Sequence, residues 1–425
     1  MYDRESKKVI MLTGFGAILE LYDFILYMTF SKEIANVFFT EITNLQAKLF
    51  LTIAIFSVTY IVRPFAGIIL GMIGDVIGRR KVLLFTILLM GICSLAMGLM
   101  PGYEYLGISA GFMVILFRIL QGFALGGELP GACVILYESV KGKIGFASAM
   151  LFTFVTASFL LCGLITYFLE MMFHEYAWRV GFIIGGLLGF IGYYIRRNLS
   201  ESPEFQNIHN QEKHSFKSLI STYGLNIFGG IFIVITVAFS GIMLTLYTRK
   251  FVEGLLPNYD PASISLLLTP ALLTLTVSTF VFGYLSDKVG IVKTFTLGAL
   301  LTAIMSAPIF YIMSAFATPQ VIAIALMVIM LSGGLVTASF IVLLCDLFPT
   351  DIRLSGVGIS YNLAFAIVGG IGPLVSTTII TTTNYYFLGP AIVGLICGII
   401  GLLGVIIYYK KGGYYKSNSN LIVKL

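Results

Sequence analysis

Charge is what this sequence lacks. Only 11% of its 425 residues are Asp, Glu, Lys or Arg, against about 25% in a soluble globular chain. So few charges cannot cover a water-facing surface, and a soluble protein is excluded. Histidine is scarce as well. His174, His209 and His214 lie in or beside loops, and no H-E-x-x-H or G-x-S-x-G occurs, so nothing points to an enzyme. The cysteines (Cys93, Cys133, Cys162, Cys345, Cys397) are odd in number, scattered singly through apolar segments and without a C-x-x-C. They suggest neither a disulfide framework nor a metal cluster and read as small core residues. No A-x-A-like site follows the first apolar segment, which is also too long and too charged at its centre for a signal peptide. It reads as a retained helix. Short alternating strands of the barrel type are missing too, which leaves a helical bundle.

What is present is apolar length. The chain is 58% hydrophobic with a mean hydropathy of +0.98, and segments of about 20 apolar residues, each able to cross a bilayer, recur throughout. The expected fold class is an all-α integral membrane protein of twelve transmembrane helices. They fall near 9–38, 48–73, 82–100, 105–137, 144–171, 179–195, 219–247, 263–285, 291–314, 320–345, 355–380 and 388–409. Pro64, Pro130, Pro270, Pro308 and Pro373 are candidate kink sites within them. Placing the N-terminus in the cytoplasm puts nineteen of the 26 Lys and Arg residues on the cytoplasmic side and four on the other. That asymmetry predicts both termini inside. It also accounts for the net charge of +6 without a nucleic-acid partner; the lipid bilayer is the expected surrounding.

The longest polar stretch, RRNLSESPEFQNIHNQEKHSFKSL (196–219), lies almost midway. It divides the chain into an N-terminal half, 1–195, a cytoplasmic linker, 196–218, and a C-terminal half, 219–425, with a short tail. A repeat supports the division. GMIGDVIGRRKVLLF (71–85) aligns with GYLSDKVGIVKTFTL (283–297), pairing Gly71 with Gly283, Asp75 with Asp287, Gly78 with Gly290 and Lys81 with Lys293. Both copies follow the second helix of their half, and two like halves in parallel orientation mark one large class of secondary transporters.

In GMIGDVIGRRK the glycines permit close helix approach. Asp75 is placed to accept hydrogen bonds from a helix N-terminus or to pair with a cation, and Arg79, Arg80 and Lys81 sit at an anionic inner surface. The loop resembles the signature loop of the major facilitator superfamily, where such a loop latches the halves together in one conformation. By that resemblance Asp75, Arg79, Arg80 and Asp287 are latch residues. Three further stretches narrow the match: ELYDFILY (20–27), FSVTYIVRPFAGIILGMIGDVIGRRKVL (56–83) and RILQGFALGGELPGA (118–132). With Trp178-Arg179 and the ESPEF that follows the sixth helix, they look like the metabolite:proton symporter family, which includes proline/betaine, α-ketoglutarate, citrate and shikimate transporters. The C-terminal half matches mainly through GYLSDKVG and LFPTDIRLSGVGISYNLAFAIVGGIGPL (347–374). Two departures stand out. Gly181 replaces the usual proline of the sixth-helix AWRxPF pattern, and no long coiled-coil extension follows the last helix.

Ionisable groups inside apolar helices are costly, by at least about 2.5 kcal/mol each, and are functional by default. At about 1.5 Å of rise per residue, Glu20 lies roughly 18 Å beyond Lys8, near the middle of the core. Arg63, Arg118 and Glu128 reach similar depth, so Glu20, Asp23, Arg63, Arg118 and Glu128 are expected to meet in one polar cluster. Glu20, Asp23 and Glu128 are the candidate proton-coupling groups. Arg63, Arg118, Gln121, Tyr27, Tyr361 and Asn362 are the candidate substrate-binding groups, with Lys32 in support. The C-terminal half offers only neutral polar groups at mid-depth, Tyr247, Thr248, Thr274, Thr276 and Ser278 besides Tyr361 and Asn362.

The expected function is import of a small polar metabolite by proton symport, with no cofactor beyond the coupling proton, in the bacterial inner membrane. The superfamily resemblance implies a monomer. Acids beside arginines suit an amino acid or betaine and equally an organic anion. A proton-coupled exporter is the alternative. However, the Gly-Pro motif such exporters carry on the fifth helix is missing from SAMLFTFVTASFLLCGLITYF (148–168), and GGIGP (369–373) falls on the eleventh. A non-transporting receptor is a further alternative, with no signalling domain to support it.

Overall fold

The computed structural model of the chain describes residues 2–40, 45–207 and 215–411. Residues 208–214 of the expected linker and the tail beyond Lys411 lie outside the described residues. Among the described residues every regular element is helical. In chain order they are α1 Arg4–Thr29, α2 Ser31–Phe38, α3 Leu45–Ile77, α4 Arg79–Leu99, the single turn α5 Tyr103–Leu106, α6 Ile108–Ser139, α7 Ile144–Phe173, α8 Ala177–Arg196 and the single turn α9 Pro203–Gln206. There follow α10 Phe216–Ala238, α11 Thr248–Leu255, α12 Pro261–Val289, α13 Ile291–Phe316, α14 Pro319–Asp346, α15 Arg353–Thr383 and α16 Leu388–Lys411. A π-helical segment, Phe239–Tyr247, joins α10 to α11.

Among the described residues, eleven helical stretches are long and apolar enough to cross a membrane. The fifth and sixth expected spans fall in one of them, Ile144–Arg196, interrupted at His174, whose φ of 47° opens a 3-10 turn over His174–Tyr176. The first expected helix, 9–38, breaks at Phe30 into α1 and α2, and the seventh, 219–247, runs on to Leu255 through the π segment. Pro64, Pro130, Pro270, Pro308 and Pro373 all lie inside helices, where the expectation put them. The start of α1 is set by Asp3, whose carboxylate accepts from the Ser6 N–H at 2.8 Å. Hydrogen bonds from the Ser6 hydroxyl and backbone hold that carboxyl below its ordinary value.

Large apolar side chains such as Ile61, Phe65, Phe112 and Leu266 point outward, as bilayer-facing residues must. Cohesion inside comes from close packing, since lipid tails are as apolar as leucine. Within the first group α4 lies on α8, α3 on α6 and α1 on α7. Within the second, α12 and α13 lie on α14, and α16 on α10 and α13. The groups meet along two seams, α3 against α15 and α7 against α12. At the first seam, backbone touches backbone: a Cβ on Gly358 would stand 2.7 Å from the Gly67 carbonyl oxygen. Glycine is what allows the helices to cross there.

The repeated loops have the same geometry. Gly78 ends α3 with φ of 110° and Gly290 ends α12 with φ of 112°, a left-handed turn that favours glycine. The residue three before each glycine, Asp75 or Asp287, is a carboxylate in the last turn of its helix, where helix-end polarity offers it no support. Each finds that support on a helix of the opposite group.

Candidate functional site

A cavity lies between the two groups of helices. Its walls are mostly aromatic and aliphatic: Phe24, Tyr60, Phe152, Phe159, Tyr361 and Phe365 supply rings from both sides. Polar atoms are few. Thr156, Thr245 and Thr337 contribute hydroxyls, and two ionisable groups project in, Glu20 from α1 and Arg63 from α3.

Arg63 is 6% exposed and donates from Nε to the Asn362 Oδ1 across the seam at 3.2 Å, while its Nη2 has no partner. The guanidinium stands 5.6–5.9 Å from the ring centroids of Tyr60, Tyr361 and Phe365, within cation–π range. Tyr361 and Phe365 stack at 4.5 Å, so the box around the cation is stiff. Asn362 is committed on its other end, with Nδ2 donating to the Gly126 and Gly358 carbonyls at 2.8 Å each. Glu20 is 3% exposed and neither carboxylate oxygen accepts a hydrogen bond. A buried group left this way costs free energy unless a ligand, water or a proton completes it.

Asp23 belongs to a different constellation. Its Oδ2 accepts from Gln121 Nε2 at 2.7 Å and pairs with Arg118 Nη1 at 3.4 Å, and Ser94 Oγ donates to its Oδ1. Arg118 Nη1 also donates to Gln121 Oε1 at 2.7 Å, and its guanidinium lies 3.6 Å from the Tyr27 ring centroid. Three helices of one group, α1, α4 and α6, therefore converge on an acid–arginine pair in which Arg118 Nε and Nη2 have no hydrogen-bond partner. Arg118, Gln121 and Tyr27 are not among the residues that line the aromatic cavity.

Glu128 forms a third site. Arg196, from the end of α8, pairs with its Oε1, and Thr86 Oγ1 donates to Oε2. Arg196 reaches it beneath α1, where it also donates to the Leu12 carbonyl at 3.0 Å and the Thr13 carbonyl at 3.3 Å. A Cβ on Gly16 would stand 1.8 Å from Arg196 Nη2, so any larger residue there would require the guanidinium to shift. The single cluster expected of Glu20, Asp23, Arg63, Arg118 and Glu128 is thus three sites. Helix rotation separates residues that depth alone would gather.

The residues expected to form a latch are distributed over the two seams, with Asp75 facing α15 and Asp287 facing α7. Asp75 accepts from the Leu354 N–H at 3.0 Å, the Ser355 N–H at 2.8 Å and the Ser355 hydroxyl at 2.6 Å, at the start of α15. Asp287 accepts from the Gly145 and Phe146 N–H groups at 2.9 Å each, at the start of α7. Each carboxylate thus caps a helix N-terminus of the other group. Arg79 pairs with Asp75 at 3.3 Å and Glu138 at 3.2 Å, and donates to the Thr350 carbonyl. Arg353 continues the chain, pairing with Glu138 at 2.9 Å and Glu204 at 2.5 Å. Arg80 donates to the Arg197 carbonyl, and Glu201 caps α4 by accepting from the Arg79 and Arg80 N–H groups at 3.1 and 3.2 Å.

Residues 9–221 match the family described as Sugar (and other) transporter, and residues 218–417 match the Major Facilitator Superfamily. This chain belongs to the major facilitator superfamily. It is accordingly a multi-pass membrane protein. Among relatives, it is 30% identical to a Staphylococcus haemolyticus protein named "Putative proline/betaine transporter", over 96% of this chain and 90% of that one. It is 28% identical to the proline/betaine transporter of Escherichia coli K12, over 93% and 83%. The resemblance read from ELYDFILY, RILQGFALGGELPGA and ESPEF is borne out. Among solved structures, the proton:xylose symporter XylE bound to 6-bromo-6-deoxy-D-glucose superposes with a TM-score of 0.78, covering 96% of this chain and 95% of that one. At 17% identity it shows the shared fold.

Several members of these sites were missed by sequence reasoning. Glu138, Glu201, Glu204, Arg196 and Arg353 sit at helix ends or in the segment after α8, where a charge needs no special explanation. Burial exposes their role: Arg79, Arg196 and Arg353 are 0–2% exposed and Glu138 is 6% exposed. Thr156, Thr245 and Thr337 line the cavity, whereas Thr274 and Thr276, picked out for depth, do not; all five donate to carbonyls one turn back in the chain. Tyr247 is occupied with Ser376 at 2.9 Å, and Thr248 with the Met243 carbonyl at 2.9 Å. Ser278 bonds the Leu275 carbonyl at 3.1 Å.

Proposed function

We infer that this transporter imports a small zwitterion by proton symport, through alternating access of two six-helix halves, 1–195 and 219–425, joined by the linker 196–218. Reading Ile144–Arg196 as two crossings, divided at the His174 turn, gives twelve spans. With the charge asymmetry of the sequence, both termini then lie in the cytoplasm of a bacterial inner membrane. The working unit in this reading is a monomer.

One observation carries the substrate class. The aromatic cavity presents one cationic group with an unpaired donor, Arg63 Nη2, and one acid with two unpaired oxygens, Glu20. A molecule bearing one carboxylate and one cationic centre satisfies both. Ring faces of Tyr60, Phe24 and Phe159 suit a methylated or cyclic ammonium better than a hydrated one. A di- or tricarboxylate would leave its second charge against aromatic carbon, because Arg118 does not line this cavity. The relatives named for proline and betaine support the same class. Asp23 carries the coupling proton while substrate is bound, because Glu20 is then the carboxylate facing the substrate's cation, and Glu20 takes up a proton only once the substrate has left. Protonation of Asp23 weakens its pair with Arg118, and the doubly loaded or empty carrier then reorients about the seams. Asp75, Arg79, Arg80 and Asp287 latch the cytoplasmic end, which is closed in the conformation described.

The test is a ligand screen followed by uptake. Purified protein should be stabilised by proline or betaines and not by di- or tricarboxylates, and Arg63→Gln should abolish that stabilisation. In proteoliposomes an inward proton gradient should drive accumulation that a protonophore collapses. Stabilisation by dicarboxylates alone would overturn the substrate class. Accumulation indifferent to the protonophore would overturn the coupling.

A further inference from the structure

A second, smaller cavity lies wholly inside the first group of helices, away from the seams. Its walls come from α1, α4, α6 and α8 and carry four polar side chains, Glu20, Ser94, Thr86 and Glu128. Each connects to a group already described. Ser94 donates to Asp23 and accepts from Gln121 Nε2 at 3.3 Å. Thr86 donates to Glu128, which pairs with Arg196. Glu20 lines both this cavity and the aromatic one, is almost wholly buried and has two unpaired carboxylate oxygens. The space has room and polar partners for one or two water molecules and none for a metabolite.

The charged groups that face Glu20 are Arg63 from α3, Glu128 from α6 and Arg196 from α8, with Tyr361 from α15 nearby. One acid and two cations therefore surround it. Arg63 marks the substrate cavity and Arg196 marks the end of α8, where Lys8 Nζ donates to the Asn198 carbonyl at 2.6 Å near the surface.

We propose that the coupling proton leaves by a route the substrate does not enter, from Glu20 across the small cavity to Glu128 and out past Arg196. The inference rests on the proton-coupled reading above. In the transfer, the O–H bond of protonated Glu20 breaks and a cavity water accepts the proton. That water passes one of its own protons to the Glu128 carboxylate. Glu20 becomes a carboxylate, Glu128 a neutral acid, and the Glu128–Arg196 pair loosens. Loosening of the pair frees Arg196, buried in the structure described, to move out from beneath α1 and admit water, and Glu128 gives its proton to that water before the pair closes again. One proton has moved and no other bond has changed. Glu128 is a relay residue, Thr86 a positioning residue, and Arg196 the gate that re-forms behind the proton.

The pair has a plain structural alternative, a clamp between α6 and α8, and the experiment separates the two. Glu128→Gln keeps the shape of the side chain and one of its two acceptor oxygens but cannot carry a proton as a carboxyl does. In proteoliposomes, proline counterflow, which needs no net proton movement, should persist in this variant. Proton-gradient-driven proline accumulation should fall by about tenfold or more. Thr86→Val, which leaves the Glu128–Arg196 pair intact, should slow gradient-driven uptake several-fold at unchanged counterflow. Retention of both activities in Glu128→Gln, or loss of both in the two variants, overturns the route. Wild-type protein that shows counterflow but never responds to a proton gradient overturns the coupled reading itself, which is a distinct result.

Discussion

Asp75→Asn should open the latch. The wild-type carboxylate holds two backbone N–H groups and one hydroxyl at 2.6–3.0 Å and pairs with Arg79. The amide keeps one acceptor oxygen and turns an N–H₂ toward donors, so one or two of these bonds are lost. Hydrogen bonds to a charged group contribute about 1.5–3 kcal/mol each, which puts the loss near 2–4 kcal/mol. When the halves part, the carboxylate and the amide that replaces it are both solvated, so the loss falls on the closed conformation alone. At 1.4 kcal/mol per decade the open population rises roughly thirty- to several-hundred-fold. Native thiols report it. Cys133 on α6 and Cys345 on α14 lie near one another between the groups and are both 0% exposed. With Cys93, Cys162 and Cys397 replaced by alanine, maleimide labelling of the remaining pair follows the open population when opening is fast. An unchanged labelling rate would refute the latch and the assignment of its three donors to stability.

Other consequences are smaller and separable. Asp287→Asn removes a carboxylate that caps α7 through two N–H groups without an arginine pair. It should raise the same labelling several-fold less than Asp75→Asn does. Tyr408→Phe removes the hydroxyl that donates to the buried Asp346 carboxylate at 2.6 Å. A loss of about 1.5–3 kcal/mol should lower the melting temperature of detergent-purified protein by several degrees without altering the pH dependence of uptake. Glu201→Ala strips the cap from α4, where Arg79 and Arg80 present their N–H groups. It should cost about 1 kcal/mol, read as a lower melting temperature that Glu201→Asp partly restores.

Hydropathy revealed the helices with little ambiguity because burial in lipid is decided segment by segment, and a run of apolar residues needs no partner to reveal itself. The two carboxylates that cap helices of the opposite group were legible for a related reason. Asp75 and Asp287 stand in a repeat whose glycines, Gly78 and Gly290, mark a backbone turn that side chains disfavour. The buried charges were legible as residues and not as pairs. Glu20 and Asp23 are three apart on α1 yet serve different sites, because their side chains leave the helix far enough apart in angle to face different neighbours. Arg196 carried no signal of its own. A charge at a helix end beside a polar segment is ordinary, and its inward turn beneath α1 at Gly16 shows only in the structure.

The sequence by itself thus determined the solvent, the helices and the inventory of acids and arginines set within them. The tertiary structure alone decided which acid meets which base. Pairing depends on the rotation of each helix about its axis, and that rotation is set by contacts such as Gly67 on Gly358 and Gly16 on Arg196. Such contacts join residues far apart in the chain, so no local property of either one encodes them.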